Sequence, residues 1–346
     1  MRRPAPVDRE PAWRRPASRS GSRLDEDDVR VRPGRGTRPR TRTRPAYRDA
    51  TAGFVVAVDR GRYTVLVGDR QVTAVQAREL GRHSVVVGDR VALVGDVSGT
   101  ADTLARIVRV EPRATVLRRS ADDGDPGERI IVANADQLVV VTALADPPPR
   151  IGLIDRCLVA AYVGGLAPLL CLTKADLVAA PEAGLAEYAD LGVRSVTTRR
   201  GGDLGPLRER LAGRVSVLVG HSGVGKSTLV NALVPDADRA IGTVSAIGRG
   251  RHTSSSAVAL ALPGGGWVID TPGIRSFGLG HVTAADLLAA FPDLAEGAED
   301  CPRNCAHLSA ADGCRLDEHV AAGHSTPGRL ASFRRLLAAP RPRPTD

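Results

Sequence analysis

The sequence predicts a multidomain fold: a β-barrel of the OB type, then an α/β domain built around a phosphate-binding loop, then a small, mainly helical zinc-binding domain. Three observations predict it. Short β-rich runs recur at even spacing through residues 51–115, and from 116 to 280 strands alternate with helices around a Gly-rich loop. Cysteines and a histidine then gather inside the last stretch, 281–346.

The bulk numbers set the frame. A chain of 346 residues exceeds one ordinary core, and 42% hydrophobic content is ample for several. Aromatics are only 3%, so those cores must rest on Val, Leu, Ile and Ala. The formal charge of +9 is uneven: residues 1–50 carry fifteen Arg against seven Asp and Glu, and the remainder is nearly balanced. Five Cys, three of them within 301–314, do not form a secreted disulfide framework. The first fifty residues contain no apolar core of a signal peptide. The most apolar stretch, 158–172, is interrupted by Gly164, Gly165 and Pro168 and is short for a membrane span. A cytoplasmic protein with no membrane association is expected.

Residues 1–50 are rich in Arg and Pro, with one acidic knot at Asp25, Glu26, Asp27 and Asp28. So few apolar residues cannot offset the entropy of ordering, and a disordered tail is expected. Its chemistry suits an electrostatic tether to RNA phosphates. In the barrel, the runs are Phe54–Val58, Tyr63–Val67, Val72–Ala77, Ser84–Val94 and Leu104–Val110. Gly88-Asp89 inside the fourth run predicts a bulge or tight bend. Five strands in this length suggest a closed barrel, a common platform for single-stranded nucleic acid. Only Phe54 and Tyr63 could stack on bases here, so RNA contact would lean on phosphates and shape.

The α/β domain follows. Ile130–Val132 and Gln137–Leu144 are β-rich, and Ile151–Val163 has helical period. Leu169–Thr173 reads as a strand, 182–191 as a helix, Arg194–Thr197 as a strand and Leu204–Leu211 as a helix. Arg214–Gly220 is a strand entering the Gly-rich loop, and Ala257–Pro263 with Trp267–Asp270 forms a hairpin around three glycines. A sheet of mainly parallel strands is the prediction.

Gly220-His221-Ser222-Gly223-Val224-Gly225-Lys226-Ser227, followed by Thr228, fits G-x-x-x-x-G-K-[ST] without a mismatch. The glycines let successive N–H groups face a β-phosphate at a helix N-terminus. Lys226 would neutralise β and γ oxygens, and the Ser227 hydroxyl would ligate Mg²⁺. Asp270-Thr271-Pro272-Gly273 ends an apolar strand 44 residues after Lys226. There Asp270 can hold a water of the Mg²⁺ shell and the Gly273 N–H can meet a γ-phosphate. Between them lies a polar loop, Gly248 to Ser255, in which the hydroxyl of Thr253 or of Ser254 would complete the Mg²⁺ shell.

Base choice is written upstream. Thr173-Lys174-Ala175-Asp176 matches [NT]-K-x-D, in which the carboxylate accepts hydrogen bonds from guanine N1 and N2 and the Lys stem covers the ring. Adenine lacks that donor pair. Thr173 stands where Asn is usual, which leads us to expect some loss of loop support. Val196-Thr197-Thr198 occupies the place of a second base-contacting loop, as a loose match. Of 48 basic residues only two are Lys, Lys174 and Lys226, and both fall inside these motifs. A compact ammonium on an aliphatic stem is what the two positions require. The motif order is permuted, because the base motif precedes the phosphate loop by more than forty residues. A domain whose termini lie close together tolerates such a cut.

Cys301, Cys305, His307 and Cys314 supply three thiolates and one imidazole, a set suited to one tetrahedral structural zinc. Cys157 and Cys171 lie in apolar segments and read as core residues.

Taken together, 51–340 resembles the RsgA/YjeQ family of circularly permuted GTPases that depend on the small ribosomal subunit. The resemblance runs through the barrel, Ala133-Asn134-Ala135-Asp136-Gln137, the base motif, the phosphate loop, His252-Thr253-Ser254, Asp270-Thr271-Pro272-Gly273 and the Cys/His cluster, in family order. It implies a GTP hydrolase, using GTP with Mg²⁺ and stimulated by the small subunit and its rRNA, in late subunit maturation; a monomer is expected. The family commonly has four residues between the first two cysteines, and here there are three, which makes Cys301 the least secure ligand. Ile274 stands where many GTPases carry a water-orienting Gln, so slow intrinsic hydrolysis is expected. His252, beside the candidate Mg²⁺ hydroxyls, is the candidate to orient the attacking water. The competing readings are a P-loop ATPase or small kinase, which would make Asp176 incidental, and an RNA-binding assembly factor with a weakly active nucleotide site.

Overall fold

The computed structural model describes residues 47–81, 85–100, 103–120, 128–181, 188–189, 192–235, 257–271 and 282–338. The first strands are β1 (Thr51–Asp59), β2 (Arg62–Val67), β3 (Arg70–Gln76), β4 (Arg90–Gly95) and β5 (Ala105–Val110). β1, β2 and β3 pair antiparallel in sequence order, β3 pairs parallel with β5, β5 antiparallel with β4, and β4 returns to β1. The ring is therefore closed. Its interior holds Val55, Val65, Val72, Val91, Leu93 and Ile107, with Tyr63 as the one aromatic. These mostly β-branched residues fill a small barrel without large rings.

The fourth run is shorter than its composition suggests. The chain turns at Gly88, whose φ is +90°, and only then enters β4. A Cβ on Gly88 would stand 1.9 Å from the Ala133 carbonyl oxygen, so only glycine permits this approach. Buried Asp89 accepts two hydrogen bonds from Arg113, at 2.7 and 2.8 Å, and one from the Val86 N–H. Asn134 accepts from the Ala114 N–H at 2.9 Å and donates to the Gly88 carbonyl at 3.0 Å. The Ala133–Gln137 segment thus docks the barrel turn as well as leading into the next sheet. A two-stranded ribbon, β6 (Val116–Ser120) with β7 (Glu128–Ala133), lies between; β6 was not expected from the sequence.

The central sheet contains β8 (Gln137–Ala143), β9 (Ala167–Thr173), β10 (Arg194–Thr197), β11 (Val215–Val219), β12 (Val258–Ala261) and β13 (Trp267–Asp270). Its order is β10-β9-β8-β11-β13-β12, and all pairs are parallel except β13 with β12. Every residue of β8 is buried, as a central parallel strand requires. On one face pack α2 (Gly205–Leu211) and α3 (Lys226–Leu233) through Leu207, Leu211, Leu229 and Leu233. The other face receives α1 (Ile151–Val163) and the C-terminal helices α4 (Ala284–Ala289), α5 (Pro292–Ala298), α6 (Leu316–Ala321) and α7 (Pro327–Ala338). Phe291 sits between Tyr162 and Phe333, with ring centroids at 5.2 and 5.4 Å. The expected 182–191 helix lies almost wholly outside the described residues.

One junction has no counterpart in the sequence pattern. β12 pairs antiparallel with β1 at Ala57 and Val258, so the sheet runs on into the barrel. Phe54 of β1 and Trp267 of β13 meet across it, centroids 5.3 Å apart. Among the described residues no helix is long and apolar enough to cross a membrane.

Candidate functional site

The phosphate loop runs from the end of β11 to the start of α3. Gly220 passes so close to β8 that a Cβ there would lie 2.4 Å from the Val141 carbonyl oxygen. Gly223 and Gly225 adopt φ of +85° and +92°, the left-handed region where glycine is free of steric cost. Because β11 and β13 are in register, with Leu218 opposite Asp270, their carboxyl ends meet. There Lys226 Nζ is paired with Asp270 Oδ1 and lies 3.5 Å from the Thr271 carbonyl. Both side chains are largely shielded, with 13% and 18% exposed. The Thr271 hydroxyl donates to the Leu218 carbonyl at 2.7 Å and fixes the turn out of the strand.

His221 is buried within the same loop. Its Nδ1–H donates to the Ser222 carbonyl at 2.9 Å, and its Nε2 has no partner among the described residues.

The base motif closes the other end. The Thr173 hydroxyl donates to the Val224 carbonyl at 2.5 Å, with the Thr142 carbonyl at 3.3 Å. Support of the phosphate loop is therefore present with Thr in the Asn position. Lys174 takes the left-handed conformation, φ 57°, and its ammonium donates to the Asp146 carbonyl. Ala175–Leu177 forms a 3-10 turn that leaves Asp176 exposed. The loop after β10 is locked to it: Thr198 N–H donates to the Leu172 carbonyl at 2.7 Å, and Ala175 N–H to the Thr198 carbonyl at 3.1 Å.

These loops enclose a cavity of about 850 Å³. Thr173, Lys174 and Asp176 line it together with Gly220–Gly223, Gly225–Thr228 and Asp270. Sequence reasoning stopped at Thr198, but the wall continues through Arg199, Arg200, Gly201 and Gly202. The available signal was the Gly201-Gly202 pair directly after a β-rich run. His252, Thr253, Ser254, Gly273 and Ile274 lie outside the described residues.

Cys301, Cys305, His307 and Cys314 come together with their ligand atoms all within 4.8 Å of one another. Cys301 Sγ stands 3.9 Å from Cys314 Sγ, which stands 3.8 Å from His307 Nδ1. A tetrahedron with bonds of about 2.3 Å has edges of about 3.8 Å, so the set can hold one metal ion. Cys301 belongs to it despite the shortened spacing. The Arg315 N–H points at Cys301 Sγ (3.3 Å) and the His307 N–H at Cys305 Sγ (3.4 Å). Burial pushes the Cys314 thiol up to about 11. Cys157 and Cys171 are fully buried, and burial raises both thiols to about 12, as core residues.

The family described as RsgA GTPase matches residues 110–280. Small ribosomal subunit biogenesis GTPase RsgA of Ectopseudomonas mendocina (strain ymp) is 43% identical over 242 residues, covering 67% of this chain and 69% of that protein. The protein of the same name from Gemmatimonas aurantiaca (strain DSM 14586 / JCM 11422 / NBRC 100505 / T-27) is 40% identical over 243 residues, covering 68% and 78%. Among solved structures, YjeQ from Thermotoga maritima aligns with TM-score 0.62 and 25% identity over 83% of this chain and 97% of that one. YloQ, a circularly permuted GTPase, shares the fold with TM-score 0.60 and 23% identity over 85% and 96%.

Proposed function

This chain belongs to the RsgA family of small ribosomal subunit biogenesis GTPases, and from that premise we propose how its own residues bind and hydrolyse GTP. It is a GTP hydrolase of the P-loop class. The observation that carries the assignment of roles is the one cavity lined by Asp176, Lys226 and Asp270 together, although the permuted sequence places the Asp176 motif first. The guanine sits against Asp176, whose carboxylate accepts from N1 and N2, with the Lys174 stem along the ring. N–H groups of Gly223–Ser227 receive the β-phosphate at the α3 N-terminus. Lys226 exchanges its pairing with Asp270 for the β and γ oxygens, which leaves the Asp270 carboxylate free.

Ser227 and Asp270 offer hard oxygen donors that fit Mg²⁺. When bound, Mg²⁺ draws negative charge from the β and γ oxygens. His252 orients the attacking water, Thr253 or Ser254 supplies the further hydroxyl, and the Gly273 N–H meets the γ-phosphate. Ile274 cannot orient water, so turnover is slow until the ribosomal subunit engages the protein. Cys301, Cys305, His307 and Cys314 hold a structural zinc, the ion best matched to three thiolates and an imidazole.

The same reading gives the arginine-rich residues 1–50 to rRNA phosphates and divides the rest into 51–115, 116–280 and 281–346. It has the protein act as a cytoplasmic monomer, without a membrane partner. The deciding experiment is GTP and ATP turnover with and without purified small ribosomal subunits. Slow, GTP-selective turnover that rises sharply with the subunit is expected. ATP selectivity would overturn the role of Asp176, and indifference to the subunit would overturn the stimulated mechanism.

A further inference from the structure

The mechanism above uses the backbone of the phosphate loop and leaves the imidazole of His221 without a task. That residue is only 6% exposed, and Val224 is fully buried, while Ser222 and Gly223 between them are exposed and border the cavity. The loop thus turns two side chains inward and lifts one peptide, Ser222–Gly223, outward. The ring does no acid–base work from this place, because its Nε2 is buried, away from any water in the cavity. What the ring does make is a hydrogen bond from Nδ1 to the Ser222 carbonyl, at 2.9 Å. A carbonyl only accepts, so Nδ1 carries the proton.

Peptide geometry carries this bond to the cavity. In a planar trans peptide the C=O and the N–H point in opposite directions. Drawing the Ser222 carbonyl onto the buried ring therefore turns the Gly223 N–H away from the ring, to the exposed side that borders the cavity. Packing alone would not hold that peptide. Gly223 sits at φ +85°, where glycine is free of steric cost. Among the described residues, a Cβ placed there would meet only the Pro147 ring, at 3.6 Å or more. A peptide next to such a glycine flips at small cost, and a flip would aim a carbonyl oxygen at an incoming anion.

We propose that His221 is a positioning residue, whose imidazole anchors the Ser222 carbonyl so that the Gly223 N–H faces the β-phosphate before the nucleotide arrives. The inference rests on the GTP reading of the cavity and supplies a cause for the shape of its phosphate loop. Preorganised donors need no rearrangement on binding, so the anchor contributes affinity for any nucleotide that carries a β-phosphate. A nucleotide without that phosphate gains nothing from it.

The test is GDP and GMP affinity, by competition against a fluorescent GDP, for the full chain and for His221→Phe and His221→Asn, with thermal unfolding of each. Phe keeps a buried ring and loses the donor, whereas Asn keeps an amide donor near the place of Nδ1. His221→Phe is expected to weaken GDP by about tenfold, leave GMP within about twofold of the parent and unfold at the parental temperature. His221→Asn should recover most of the GDP loss. Equal losses for GDP and GMP would show a general packing role and overturn the anchor. So would parental GDP affinity in His221→Phe, or a deficit in His221→Asn as large as in His221→Phe. Should His221→Phe fail to fold, nitrogen NMR of the parent imidazole decides: a proton on Nδ1 is expected, and one on Nε2 alone would overturn the proposal. Failure of the parent protein to bind GDP would instead overturn the GTP reading itself.

Discussion

The Thr173 hydroxyl donates to the Val224 carbonyl at 2.5 Å and thereby joins the base loop to the phosphate loop across 51 residues of sequence. Replacing it by Val keeps the shape and leaves a buried carbonyl without its donor, at a cost of about 1–2 kcal/mol. Thr173→Val should raise the KM for GTP and lower the unfolding temperature, while Thr173→Ser stays close to the parent. Steady-state kinetics with calorimetric melting checks both, and equal behaviour of Val and Ser would remove the tie from the account.

Asp176 is exposed at the cavity, where its carboxylate can take two guanine donors. Asp176→Asn presents an amide donor in place of one acceptor. Two charge-assisted hydrogen bonds are lost, so kcat/KM for GTP should fall by roughly 100-fold or more. Xanthosine triphosphate, which offers a carbonyl where guanine has its amino group, should gain relative to GTP. Competition between the two nucleotides measures the shift.

At the barrel junction, Gly88→Ala forces a Cβ to within 1.9 Å of a backbone oxygen at a positive φ. Neither partner is the far end of a flexible side chain, so the backbone must move, at roughly 3 kcal/mol. Urea unfolding should show that loss. A variant as stable as the parent would mean that the Gly88–Ala133 approach is dispensable.

Asp293 accepts two hydrogen bonds from Arg329, at 2.6 and 2.8 Å, and one from Ser325 at 2.7 Å. Burial opposes its ionisation, but these bonds outweigh burial and hold the carboxyl below the usual carboxylate range. A carboxyl depressed in the folded state stabilises the protein above its unfolded pKa, and that contribution disappears as pH falls through the folded value. Asp293→Asn should therefore be less stable than the parent by about 1 kcal/mol at neutral pH, after solvent screening. The difference should disappear as pH falls through the depressed folded-state value. Unfolding free energies across pH give the comparison.

Metal content provides a fifth check. The purified protein should carry one zinc per chain, and a strong chelator or Cys305→Ser should release it. Loss of the ion should lower the melting temperature of the C-terminal helices while GDP affinity remains, because among the described residues none of the Cys/His set lines the nucleotide cavity. Simultaneous loss of GDP binding would show the two sites to be coupled.

What the sequence revealed and what it hid divide along physical lines. The phosphate loop, Lys174-x-Asp176 and the cysteine set were legible because each is coded by local spacing. Gly88-Asp89 was readable as a bend for the same reason, yet the shortening of its strand depends on Ala133, far along the chain. The Asp89–Arg113 pair, the Thr173–Val224 bond and the β1–β12 pairing join residues tens to hundreds of positions apart, and no local period records such contacts. β6 was missed because Val-Leu-Arg-Arg-Ser has two apolar residues and gains its identity only from β7. Arg199 and Arg200 were passed over because two arginines in an arginine-rich chain carry little information until the fold puts them on the cavity wall.

The pairing of β12 with β1 also bears on how the molecule avoids its own kind. A GTPase sheet that ended at β12 would present open N–H and C=O groups to any passing strand, a template for aggregation. The barrel's first strand meets that flank, while the barrel itself is a closed ring. At the far side the sheet ends in β10, only four residues long. The barrel thus doubles as an end-stop for the catalytic sheet, and a chain trimmed to begin after it should express as an association-prone species even with every nucleotide residue in place.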